Sequence, residues 1–100
     1  MPKIYEYFGI VFFFHTNDHK PVHVHARYGK TEIKIEIVYE NGKLAHIQLR
    51  KIRGIDILPP AKCKEVEKVV NKYHKDITEK WEDVNIYNKK IKFTKITKKL

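Results

Sequence analysis

Serine is missing from the chain altogether, which excludes serine nucleophile chemistry. Cysteine occurs once, as Cys63, so no intramolecular disulfide can form and a reducing cytoplasm is the expected compartment. Nothing near Cys63 in sequence lowers a thiol pKa in an obvious way, and a half-buried packing role is expected for it. The four glycines never cluster, so there is no phosphate-cradling loop, and zinc has no cysteine pair. Long apolar runs are lacking too. The longest, Ile10–Phe14, is far shorter than a membrane span. The opening residues MPKIYEYFG lack the charged region and long apolar stretch of a signal peptide. No membrane partner is expected. Acid is absent from residues 89–100, KKIKFTKITKKL, which carry six lysines.

That last absence accounts for most of the formal net charge of +9. The other 88 residues hold fifteen basic and twelve acidic side chains, so the body is nearly balanced and the tail strongly basic. Lys89, Lys90 and Lys92 in the tail, with Arg50, Lys51 and Arg53 mid-chain, are the candidate nucleic-acid contacts. Such cations neutralise phosphates and release counterions. A solvated, lysine-rich edge strand would look the same in sequence. One hundred residues, 42% of them apolar, make a single domain (1–100) with a modest core.

What the chain has in excess is histidine in one place. Four of the six histidines fall within the eleven residues His15–His25, with Asn17, Asp18 and Arg27 close by. Pro21 keeps Lys20 out of the helical region and starts an extended run. From Val22 the run alternates, with Val22, Val24, Ala26 and Tyr28 set against His23, His25 and Arg27, which is strand periodicity. The valines are expected in the core. His23, His25 and Arg27 then share the other face, neighbours about 7 Å apart along the strand. Such a face suits an anion, a metal or proton transfer near neutral pH. It would equally be found as a merely solvated strand face. No metal and no cofactor is the expectation. Two histidines at i and i+2 supply too few ligands, and His15, His19 or Asp18 would complete the set only if the loop folded back.

The rest reads as sheet followed by helix. Ile4–Phe8 and Ile10–Phe14 form two strands meeting at Gly9, and His15–Lys20 is a polar loop in which Asn17 and Asp18 favour a turn. His23–Tyr28, Thr31–Tyr39 and Lys43–Arg50 are further strands, joined by turns at Gly29-Lys30 and at Asn41-Gly42, the strongest short hairpin signal in the chain. Residues 1–50 are thus mainly strands. Lys51–Leu58 shows no clear period. Pro59-Pro60 opens a helix over 59–83, in which Val66, Val69, Val70, Tyr73, Ile77 and Trp81 make one apolar stripe. His74 is expected on its exposed flank. A last short strand at Ile91–Ile96 is compatible with the pattern of the basic tail, 89–100. The expected fold class is α+β: a small antiparallel sheet of four to five strands packed by one long amphipathic C-terminal helix.

Three segments carry a resemblance. The start MPKI-x-EYFGIVF, the block NDHKPVHVHARYGK and the helix end KWE together resemble a small bacterial family, the domain of unknown function numbered 4160. The likeness covers roughly residues 1–83 and is most specific at Asn17, Asp18, His19, Pro21, His23, His25, Arg27, Tyr28 and Gly29. Val22 departs from it, since the family usually has a second proline there, and so does Pro60-Ala61, where a basic pair is expected. Members are often encoded beside a second small domain of unknown function, numbered 2442, in an arrangement that resembles a toxin–antitoxin pair. The resemblance therefore implies the toxin-like half of a two-gene module with a small antitoxin-like protein partner.

Two kinds of function fit these residues. One is RNA cleavage without a metal. His23 and His25 would serve as base and acid in either order, Arg27 as phosphate clamp, and His19 or Asp18 as an orienting group. The other is a regulatory module that binds nucleic acid or protein without chemistry. Identical residues would line a site that only holds phosphate.

Overall fold

The computed structural model describes residues 2–15 and 19–100. Six strands form one sheet: β1 (Lys3–Tyr7), β2 (Ile10–Phe13), β3 (His23–Tyr28), β4 (Thr31–Glu40), β5 (Lys43–Lys51) and β6 (Thr94–Ile96). Their order is β5-β4-β3-β2-β1-β6. The fold is α+β with one C-terminal helix, α1 (Pro60–Asn85), and the sheet has more strands than the four to five expected. The sixth strand, β6, falls within the short strand expected at Ile91–Ile96 and lies parallel to β1, while every other pair is antiparallel. No described helix is long and apolar enough to cross a membrane.

The first five strands run as a meander because each turn has the residues it needs. Phe8-Gly9 and Asn41-Gly42 both take positive φ at their two central positions, the conformation of tight hairpin turns. Gly9 has a second reason to be glycine, since a Cβ there would stand 3.3 Å from the Tyr28 ring. Helix α1 covers one face of the sheet. Its buried residues Val66, Val69, Val70, Ile77 and Trp81 meet the inward residues of the strands, among them Tyr7, Phe12, Val24, Ala26, Ile35 and Ile37. Cys63 is half-buried against this core, its thiol facing the Leu58 carbonyl. The segment after β5 folds back along the start of β4, where the Glu32 amide donates to the Asp56 carbonyl at 3.0 Å.

His74 is not on an open flank. It is half-buried beside Tyr39, whose hydroxyl lies 2.8 Å from its Nδ1 and 3.0 Å from Thr78 Oγ1. The final twelve residues do not trail away either. Ile96 is buried, the Leu100 amide donates to the Tyr7 hydroxyl at 3.0 Å, and Lys99 pairs with Glu65 at 3.3 Å.

A second tie joins sheet to helix. The Tyr5 hydroxyl donates to the Asp76 carboxylate, which also holds Lys80 at 3.0 Å. Partial burial alone would raise the Asp76 pKa, but the Tyr5 hydroxyl and the Lys80 ammonium outweigh it and hold the carboxyl below its ordinary range. A depressed folded pKa contributes stability above the ordinary carboxylate pKa and loses it as pH falls below. Tyr5→Phe is expected to cost about 1.5–3 kcal/mol at pH 7, the scale of a charge-assisted hydrogen bond. The gap between wild type and variant should shrink below about pH 4. Urea unfolding at pH 7 and pH 3 checks both parts.

Candidate functional site

The face of the sheet opposite α1 has no helix over it, and strand alternation decides which side chains it receives. In β3 these are His23, His25 and Arg27, as the sequence pattern predicts. Register then places partners from the neighbouring strands. Phe13 stands beside His25, Arg27 beside Glu32, and His23 beside Glu36. His15, just past the end of β2, reaches the same place.

The rings pack into one cluster. The His15 and His25 ring centroids are 4.2 Å apart and nearly perpendicular, and those of His23 and His25 are 5.7 Å apart. Phe13 is the floor, with His25 stacked on it at 5.4 Å and the Arg27 guanidinium 4.9 Å above its ring. This explains why Phe13 is only 1% exposed on a face with no helix. His23 Nδ1 donates to the Pro21 carbonyl at 2.9 Å, which fixes its ring at the rim.

Two expectations change. His25 is not a solvated strand histidine: it is 6% exposed, enclosed by Phe13, His15, His23 and Glu32. Burial pushes its imidazole down to about 4, the nearby His15 and His23 adding to the drop and Glu32 opposing it. Its environment therefore favours the neutral imidazole at pH 7, with an N–H on one ring nitrogen and a lone pair on the other. Arg27 is also not a freely presented clamp. Its Nη2 and Nε donate to Glu32 Oε1 at 3.1 and 3.3 Å. His19 is exposed and takes no part in the ring contacts among the described residues, and Asp18 lies outside them.

Glu32 is the residue that sequence reasoning passed over. It is 7% exposed and bridges Arg27 and His25, with Oε2 3.3 Å from His25 Nδ1. The signal was present. A two-residue turn at Gly29-Lys30 pairs Tyr28 with Thr31, and so Arg27 with Glu32.

The predicted basic contacts separate. Arg50 lies on the open face, paired with Glu36 and in register with Lys34. Lys51 is exposed and its ammonium donates to the Ile55 carbonyl at 2.8 Å, and Arg53 is exposed in the turn that follows. Lys89, Lys90 and Lys92 are exposed between α1 and β6, the first two lining a shallow cleft with Pro2 and Lys3. The cleft lies at the end of the sheet where β2 leads into His15, since the Phe14 amide donates to the Pro2 carbonyl at 2.9 Å.

One register row ties these features together. Lys3, Phe13, His25, Lys34 and Arg50 are cross-strand neighbours in turn, from β1 to β5. The row spans about 19 Å at ~4.8 Å per strand. It contains cations and rings and no acid. The acids beside it are engaged, Glu32 with Arg27 and Glu36 with Arg50.

No curated protein and no solved structure matches the chain. The family model described as Domain of unknown function (DUF4160) matches residues 9–82. With well over half of its length inside that match, the chain belongs to this family.

Proposed function

We propose that the open sheet face acts on single-stranded RNA, and that the chain is the toxin-like half of a two-gene module whose partner is a small antitoxin-like protein. The row from Lys3 to Arg50 carries this reading. A sheet surface with cations spaced across it suits the backbone of a single strand, and the exposed His15 ring, packed edge-on against His25, offers a flat face on which a base can stack. A duplex-reading protein would instead present a helix or ribbon for the major groove. On this face the helix is on the far side. Lys89 and Lys90 extend the cationic surface at the His15 end.

Filter retention of a short single-stranded RNA tests the reading. Retention should weaken steeply as salt rises, because counterion release dominates such contacts. RNA fragments appearing with chelator present would assign metal-free cleavage to the same face. Co-expression with the product of the adjacent gene should give a complex on size exclusion and relieve a growth defect. Salt-independent retention, or no retention at micromolar protein, would overturn the RNA reading. Two proteins that stay separate would overturn the two-gene reading.

A further inference from the structure

We infer that His15, His25 and Glu32 form a binding site for one divalent transition-metal ion of the zinc class. This goes beyond the RNA reading and does not depend on it. One ligand atom from each of the three residues lies within 4.8 Å of the other two. Around a tetrahedral ion with bonds of about 2.0–2.2 Å, neighbouring ligand atoms stand roughly 3.3–3.5 Å apart. The His25–Glu32 edge already has that length, at 3.3 Å. His15 alone has to close in, and it is exposed, beyond the end of β2.

A second observation points to the same place. His25 Nδ1 is buried, and its close polar neighbour among the described residues, Glu32 Oε2 at 3.3 Å, attracts it without the alignment of a good hydrogen bond. A buried nitrogen whose hydrogen bond is poorly aligned has a cost that a metal bond removes. Two imidazoles and one carboxylate match the donor set of zinc sites that keep an open position. Arg27 also holds Glu32 through Oε1, leaving Oε2 toward His25. That is the arrangement of an outer partner that orients a ligating carboxylate. Three protein ligands leave a fourth position for water or for an anionic oxygen.

Glu32 could not be assigned from the spacing of the histidines. It comes from the next strand, across the Gly29-Lys30 turn. The expectation of no metal rested on the two strand histidines lacking further ligands, and the cross-strand register supplies one of them.

The test uses full-length protein purified without a histidine tag, stripped with chelator and titrated with Zn²⁺ against a chromophoric chelator. One ion per chain is expected, and Co²⁺ should give the visible absorption of a tetrahedral site. His15→Ala and Glu32→Gln should each weaken binding by roughly 100-fold or more, beyond the loss typical of an outer partner. His46→Ala, on the open face but away from the cluster, should leave binding unchanged. Circular dichroism confirms that each variant is folded, and RNA retention is measured separately, so failure here leaves the RNA reading standing. Failure to bind zinc at unit stoichiometry at micromolar concentration would overturn the site. So would binding that survives both His15→Ala and Glu32→Gln, or that falls equally with His46→Ala.

Discussion

Replacing Trp81 by alanine is expected to cost about 3–5 kcal/mol, the usual range for deleting a large aromatic from a core. Trp81 is 2% exposed and closes the C-terminal end of the stripe by which α1 holds the sheet. A domain of this size has a stability of roughly 5–15 kcal/mol, so the loss is a large fraction of the total. In a thermal melt it corresponds to a fall of about 12–40 °C. Trp81→Phe should cost far less. It keeps an aromatic ring in place and removes an indole N–H that is buried without a hydrogen-bond partner among the described residues. Melts of the two variants side by side check the claim. Equal losses would mean that a phenyl ring recovers none of the packing and that only the full indole fills the site.

Much of this architecture was legible because its signals are local. The alternation of Val22 to Tyr28 and of Ile33, Ile35 and Ile37 put the right residues on the right faces. Asn41-Gly42 marked its hairpin, and the stripe from Val66 to Trp81 marked the helix. β6 was harder to place. Three residues that pair in parallel with β1 carry no period of their own, and their partner is brought to them only after α1 has crossed the sheet. Residues 52–58 were illegible for a similar reason, since they are held by hydrogen bonds from the Glu32 amide and the Lys51 ammonium to the Asp56 and Ile55 carbonyls and by the burial of Leu58.

The site divides in the same way. Strand alternation put His23, His25 and Arg27 on one face, but it could not say that His25 is buried. That burial comes from Phe13, His15 and Glu32, which belong to the neighbouring strands and the end of β2. Arg27 looked like a clamp because its carboxylate partner lies across a turn rather than beside it in sequence. The lysines of residues 89–100 fitted a phosphate-binding tail and a lysine-rich edge strand equally well in sequence; the strand among them pairs with β1 and the last residue meets Tyr7. Deleting that segment would damage the sheet, so it is a poor probe of function.

The central claim is that the open face, and not the helix layer, meets RNA. Substituting Lys3, Lys34 and Arg50 together by glutamine removes three cations from the face that α1 leaves open. Substituting Lys64, Lys68 and Lys72 by glutamine removes the same charge from exposed positions on α1. Both triple variants keep the buried core intact. Each phosphate of a single strand that the protein no longer neutralises lowers the slope of log affinity against log salt by about 0.7, so three lower it by about 2. At moderate salt that corresponds to a fall of roughly 100-fold or more in affinity. The direct measurement is RNA affinity across a salt series for wild type and both triple variants. The account predicts the reduced slope and the large loss for the Lys3, Lys34 and Arg50 variant, with the α1 variant close to wild type. A large loss confined to the α1 variant, or equal losses in both, would contradict it.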